Sequence, residues 1–220
     1  MVINNNMRHF VYFSTKAATS GKALSKFSGK NTGKSGRSSG KDKGGGLMEA
    51  GRMDIAIHSF IQGVFLSHDF RKDVKFHFVF YGMPDPPKHI EIQVTDDLGL
   101  NKKDVGKIIQ KILYKYKEGE KKEVLPGCFI EKKSFLDVIT TLNKEGNEIF
   151  ILDSKGQSIR EAEISENCVF ILGDQEGLPR KEIQRLKKSD KINKISVGPF
   201  EYFASQTVAV VNNELDFRGI

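Results

Sequence analysis

Val169–Phe200 reads VFILGDQEGLPRKEIQRLKKSDKINKISVGPF, and its reading decides the fold. Val169–Leu172 is a short apolar run of strand type. Leu172–Leu178 (LGDQEGL) follows as a turn in which Gly173 and Gly177 bracket two acids. A helix is expected from about Pro179 to Lys188, and a second strand over Ile192–Val197 ends in Ser196–Phe200 (SVGPF). Outward from this unit the alternation repeats. Glu148–Leu152 is a strand before it, and Ala204, Val208, Val211 and Leu215 place a helix after it on one apolar stripe. Further upstream, Arg8–Ser14 (RHFVYFS), Val74–Tyr81 (VKFHFVFY) and His89–Val94 read as strands. Helical spacing relates Ile57, Phe60, Ile61, Val64 and Phe65, with Asp54 as the expected N-cap. It also relates Val105, Ile108, Ile109, Ile112 and Leu113, and again Phe135, Val138, Ile139 and Leu142. Strands alternating with helices predict an α/β fold with a mostly parallel sheet.

With 220 residues the chain is expected to form one domain, residues 1–220, large enough to bury a core. No apolar run reaches the length of a membrane span, and Met1–Met7 (MVINNNM) lacks the apolar segment of a secretory signal. Cys128 and Cys168 form no CxxC pair and read as packing thiols of a reducing, cytoplasmic protein. His58, His68, His77 and His89 show no ligand spacing with cysteines or carboxylates, so no metal and no membrane partner are expected.

The net charge is +7, and more than half of the excess lies in Ser28–Gly46 (SGKNTGKSGRSSGKDKGGG), which has four Lys, one Arg and one Asp. This tract, 28–46, contains no aliphatic or aromatic residue and is expected to be a flexible loop. Within it, Gly29–Ser35 (GKNTGKS) imitates a phosphate-binding P-loop. It has three residues rather than four before the Gly-Lys pair, and neither the strand nor the helix such a loop needs, so nucleoside triphosphate binding is excluded. The rest of the chain is almost balanced in charge; a nucleic-acid partner is compatible with it and not demanded by it.

In open α/β sheets ligands collect beyond the carboxyl ends of strands. Ile151–Gly156 (ILDSKG), Leu172–Leu178 and Ser196–Phe200 all occupy such positions, and their glycines allow close backbone approach. By composition alone they read sooner as ordinary turns, in which Gly, Pro and Asp are common. No GxGxxG joins a strand to a helix, which argues against a dinucleotide. Gly51-Arg52-Met53-Asp54 precedes a helix, and Arg71 and Lys72 follow it. Arginine is unfavourable at a helix N-terminus unless it serves an anion, so Arg52 and Arg71 are candidates for phosphate contacts, although the residues alone read sooner as a helix capped by Asp54 with two solvated arginines.

Taken in order, Gly51–Ile55 (GRMDI), Phe65–His68 (FLSH), Arg71–Val74 (RKDV), Gly82–Pro87 (GMPDPP), Leu172–Leu178, Ser196–Phe200, Ala204-Ser205 and Asn213–Asp216 (NELD) resemble the TrmY family of tRNA pseudouridine-54 N1-methyltransferases. A more distant resemblance links the chain to the ribosomal pseudouridine N1-methyltransferases, which carry Arg-Pro-Asp-Ile at the place of Arg52–Ile55. The resemblance implies a SPOUT-type fold with a C-terminal trefoil knot, S-adenosyl-L-methionine as cofactor, tRNA as substrate and a homodimer. It implies cofactor contacts from Leu152, Gly173, Ser196, Val197, Gly198, Pro199, Phe200, Ala204 and Thr207. Asp54 and Arg52 are the implied catalytic residues, and Arg52, Arg71 and Lys72 the implied RNA contacts. The family pattern has His-Cys after Ala-Ser, with the Cys in the cofactor pocket; Gln206 and Thr207 stand there in this chain. Two alternatives stay open at this level: the same chemistry on a pseudouridine of another RNA such as ribosomal RNA, or a non-catalytic RNA-binding member of the fold.

Overall fold

The computed structural model describes residues 7–28, 47–189 and 192–220; the basic tract therefore lies outside the described residues, apart from its first position. Eight strands form one sheet. In chain order they are β1 (Arg8–Ser14), β2 (Val74–Phe80), β3 (Lys88–Gln93), β4 (Lys122–Leu125), β5 (Cys128–Glu131), β6 (Glu148–Ser158), β7 (Cys168–Gly173) and β8 (Ile192–Ser196). Their spatial order is β4-β5-β3-β2-β1-β7-β6-β8. The neighbours from β2 through β1, β7 and β6 to β8 pair in parallel, and β3, β5 and β4 extend the sheet in antiparallel fashion.

Among the described residues the α-helices are α1 (Gly21–Ser28), α2 (Met53–Val64), α3 (Val105–Tyr114), α4 (Phe135–Lys144), α5 (Arg180–Ser189) and α6 (Ala204–Arg218). They cover both faces of the sheet, and strand alternation assigns each side chain to one of them. On one face Phe10, Tyr12, Phe76, Phe78 and Phe170 pack with α2, α3 and α6, through Phe60, Ile109, Val208 and Leu215 among others. On the opposite face Val11, Phe13, Val79, Ile149 and Ile171 pack under α4 and α5, against Phe135, Ile139, Leu142 and Leu186. A central parallel strand is buried on both sides, which is why every residue of β1 is buried.

Most sequence expectations hold to within a residue or two. Four things differ. Helix α1 (Gly21–Ser28) was not expected, and it takes in the first residue of the expected loop. A hairpin, β4-β5, was not expected; its strands turn through Pro126-Gly127, with Gly127 at φ 72°. The strand expected at Glu148–Leu152 continues to Ser158, because β6 bulges between Leu152 and Gln157 and then resumes pairing with β8. Asp54 is not the N-cap of α2. Gly51 (φ 74°) and Arg52 (φ 61°, ψ 40°) are both left-handed and swing the chain into the helix, so Arg52 takes the cap position without a side-chain cap bond. Asp54 falls inside the first turn, where its charge still complements the helix dipole.

Candidate active site

The carboxyl ends of β6, β7 and β8 open into one cleft of about 990 Å3. Its floor is the Leu172–Leu178 turn and its side the Lys194–Gly198 segment. The start of α6 and the first turn of α2 close the remaining walls.

The floor is built by hydrogen bonds to Asp174. Its backbone N–H donates to Phe13 O (3.0 Å), and its carboxylate accepts from Ser14 Oγ (2.5 Å) and from Glu176 N (2.8 Å). Gly177, at φ 77°, closes the turn by donating to Asp174 O (2.9 Å). A Cβ on Gly173 would come within 2.6 Å of the Gly177 backbone, so this turn tolerates no side chain at its first position. At the side wall, Ser196 Oγ donates to Gly198 O (2.8 Å). Asp153, in the β6 bulge, is ion-paired with Lys194 and accepts from Lys155 N (2.9 Å). Those hydrogen bonds, that from Lys194 first, hold its carboxyl below the usual carboxylate range. The carboxylate is therefore ionised at neutral pH and free to accept hydrogen bonds on its remaining lone pairs.

On the opposite wall the Arg52 guanidinium grips the Asp54 carboxylate with two bonds of 3.0 Å, from Nε and Nη2. A left-handed conformation costs a non-glycine residue about 1–2 kcal/mol, and such strain persists only where the surroundings impose it. The surroundings here are explicit. A Cβ on Gly51 or on Gly82 would collide with the Lys16 carbonyl, so three chain segments meet at that oxygen with no side chain between them. Ala18 N donates to Ala50 O (3.2 Å), and Gly82 N to Ala17 O (3.1 Å), across the same junction. Beneath the pair lies Tyr12, whose buried hydroxyl has no hydrogen-bond partner among the described residues. Burial first, then the nearby Asp174 and Asp54, raises its pKa and keeps it protonated.

A family model described as "Putative SAM-dependent RNA methyltransferase" matches residues 7–220. The chain belongs to that family. Among the curated SAM-dependent RNA methyltransferases it matches, a tRNA (pseudouridine(54)-N(1))-methyltransferase of Methanococcoides burtonii is 34% identical over 170 residues, covering 76% of this chain and 84% of the relative. One of the same description from Pyrococcus abyssi is 34% identical over 181 residues, covering 78% and 87%. Among solved structures, Archaeoglobus fulgidus Nep1 bound to S-adenosylhomocysteine superposes with a TM-score of 0.59 at 10% identity, over 98% of this chain and all of that one, a likeness of fold.

The cleft suits the cofactor of a SAM-dependent methyltransferase. Its volume lies at the upper end of the roughly 300–1,000 Å3 usual for ligand pockets. Leu152, Leu172 and Val197 offer apolar surface, and Asp153 offers acceptors of the kind that bind ribose hydroxyls. Of the residues expected to line it, Leu152, Gly173, Ser196, Val197, Gly198, Phe200, Ala204 and Thr207 all do, and so do Arg52 and Asp54. Pro199 is not among the lining residues. Thr207 occupies the wall where the family pattern has a thiol, whereas the neighbouring Gln206 caps α6, its Oε1 accepting from Phe203 N (3.0 Å). Arg71 and Lys72 also lie outside the lining. Arg71 is ion-paired with Asp216 of α6, and Lys72 with Asp96 at 2.6 Å. Sequence reasoning held Asp153 only as part of a candidate loop, Ile151–Gly156, and missed Lys194, His58 and Tyr12. Asp153 and Tyr12 needed the sheet pairing to be known, but His58 was readable: it lies one helical turn after Asp54, on the same face.

Proposed function

We propose that this protein transfers the methyl group of S-adenosylmethionine to N1 of pseudouridine at position 54 of tRNA. The observation that carries the reading is one cleft that holds the three glycine-marked loops on one wall and the Arg52–Asp54 pair on the other. The names of the archaeal relatives supply the substrate, and the charge of the chain suits an RNA.

Bound against the loops, the cofactor supplies an electrophilic methyl group on a sulfonium. The chain's residues do the rest. N1 of pseudouridine carries a proton that must leave as the new N–C bond forms, and the Asp54 carboxylate is the acceptor facing the cleft. Arg52 holds that carboxylate in place and carries the positive charge that would meet an RNA phosphate. The loops and α2 are anchored to one frame through Ser14, Asp174 and the Lys16 junction, and such alignment of donor and acceptor can supply roughly 7–11 kcal/mol of the barrier. The base must be presented unstacked, since a stacked one hides its ring nitrogen.

The same reading includes one catalytic domain over residues 1–220, a trefoil knot formed by β6 to β8 with α6, and a homodimer. The strand order β1-β7-β6-β8, out of sequence order, supports the knot. Phe203 and Phe217 at the two ends of α6, 76% and 89% exposed, are the kind of surface a second copy covers. Arg71 and Lys72, although paired with carboxylates, stay candidates for the RNA backbone beyond the cleft.

The test is incubation of labelled cofactor with a tRNA transcript whose target uridine has or has not been isomerised. Methylation of the isomerised transcript alone is expected, and its loss in Asp54→Asn. Full turnover by Asp54→Asn refutes the proton-acceptor role, and equal labelling of both transcripts refutes the pseudouridine assignment. A Phe217→Glu variant that stays dimeric in light scattering, or a wild-type monomer, refutes the α6 interface.

A further inference from the structure

On the face of the sheet under α4, far along the strands from the cleft, three buried histidines stand in a row across β1, β2 and β3. His9 Nδ1 lies 3.0 Å from His77 Nε2, and His77 Nδ1 lies 2.9 Å from His89 Nε2. His89 Nδ1 lies 2.9 Å from Glu131 Oε1 on β5. The rings of each neighbouring pair are tilted by only 14° and 8°, so the facing nitrogens point at one another nearly in plane. The row borders a cavity of about 180 Å3, which Glu91, Thr141 and Glu145 also line. Glu91 sits two residues after His89 on β3, on the same face, and in register with His77.

A carboxylate only accepts, so Glu131 fixes the proton of a neutral His89 on Nδ1 and leaves Nε2 with a free lone pair. That lone pair faces His77 Nδ1 at a distance where a positive centre must lie between them. In the hydrogen-bonded row it is the His77 proton. A metal ion cannot take its place on that line, since 2.9 Å leaves about 1.45 Å to each nitrogen against the roughly 2.0–2.1 Å that zinc needs. It binds beside the line, toward Glu91, once both rings turn their lone pairs that way, His77 moves its proton to Nε2, donating to His9 Nδ1, and His9 in turn moves its own proton to Nε2. The proton count is unchanged. Burial, foremost, lowers His9 to about 4 and His77 and His89 below the ordinary imidazole value, so the ring nitrogens are in the neutral form that metals bind.

We propose that His77 Nδ1, His89 Nε2 and the Glu91 carboxylate form a site for a divalent transition-metal ion, with Glu131 and His9 as outer hydrogen-bonding partners of the two imidazoles. One ligand atom from each of the three residues lies within 4.8 Å of the others. Two imidazoles and one carboxylate, with water in the cavity as the fourth ligand, suit zinc. Glu131 receiving Nδ1–H of His89 is the outer carboxylate that orients a metal-bound histidine and raises its basicity. The cost is visible too. Lys121 (2.9 Å) and Lys75 (3.7 Å) hold Glu91, and the ion must displace them. Their side chains are 44% and 26% exposed, so both have a path to solvent.

The full-length chain, stripped with chelator, is titrated with Zn2+ by calorimetry and its bound zinc counted after dialysis; Co2+ substitution reads the ligand field in the visible spectrum. One zinc per chain is expected, with a melting temperature that rises with zinc concentration and Co2+ bands of a four-coordinate nitrogen–oxygen site. Glu91→Gln, which keeps the side-chain shape, is expected to weaken zinc at least tenfold and to change the Co2+ spectrum. His9→Gln, outside the ligand set, is expected to weaken it less. Absence of stoichiometric zinc, or zinc held equally by wild type, Glu91→Gln and His89→Gln, overturns the proposal and leaves a hydrogen-bonded row alone.

Discussion

Arg52 is the position where stability and activity are set against each other, and replacing it by Gly and by Ala separates the two. With φ 61° and ψ 40° it is, among the described residues, the non-glycine residue with positive φ. Alanine retains the Cβ and therefore the left-handed penalty of about 1–2 kcal/mol, whereas glycine does not. Glycine's greater unfolded-state freedom offsets about 0.5–1 kcal/mol of that relief. Both variants lose the two bonds to Asp54, so that loss cancels from the comparison. The Gly variant should thus be more stable than the Ala variant by about 0.5–1 kcal/mol, reversing the order seen at ordinary helical sites. For a chain of this length that is about 1–4 °C in melting temperature by calorimetry or circular dichroism. Both variants should lose methyl transfer, since neither offers a guanidinium. An Ala variant as stable as the Gly variant refutes the strain argument. Full turnover by either refutes the role given to Arg52.

Three further outcomes rest on particular interactions. Gly173→Ala drives a Cβ to 2.6 Å from the Gly177 backbone; it should cost about 1–3 kcal/mol of stability and weaken S-adenosylmethionine at least tenfold by calorimetry. Asp85 accepts from Lys132 (2.5 Å) and Lys88 (2.6 Å), and these bonds, Lys132's first, lower its pKa. A depressed carboxylate is stabilising above its ordinary value of about 3.9 and loses that contribution as pH falls through its lower folded value. Asp85→Asn should therefore lower the melting temperature more at pH 7 than at pH 2; an equal drop at both excludes the charge. Deleting the basic tract should reduce the salt slope of RNA binding by about 0.7–0.9 log units for each phosphate that the tract neutralises, and an unchanged slope would mean that it neutralises none.

Where a segment is buried on both faces or on one regular stripe, its sequence announced its structure. β1 and β7 are apolar runs because helices cover both sides of the sheet, and α6 shows its stripe at Val208, Val211 and Leu215. The β4-β5 hairpin escaped because its first strand is a half-exposed edge with little pattern, although Pro126-Gly127 marked its turn. The cofactor loops were visible as positions but not as a site, since glycine turns are common; the ordered resemblance chose among them. Asp153 opposite Lys194, and His9 beside His77 beside His89, depend on which strands become neighbours, and single-strand periodicity carries no such information. Asp54 misled for a related reason: capping rules assume an extended residue leading into a helix, and two successive left-handed residues moved the helix start upstream by two positions.

The junction at the Lys16 carbonyl has a consequence for traffic through the cleft. Backbone packed on backbone at Gly51 and Gly82, with Asp174 bonded to Ser14, ties the α2 wall and the floor into one frame. The way in and out then lies on the other side of the cleft. The stretch from Pro199 to Tyr202 lies there, with the Phe200 ring standing in solvent at 71% exposure. Cofactor and spent product would pass there, while the residues facing the base keep their alignment from one turnover to the next.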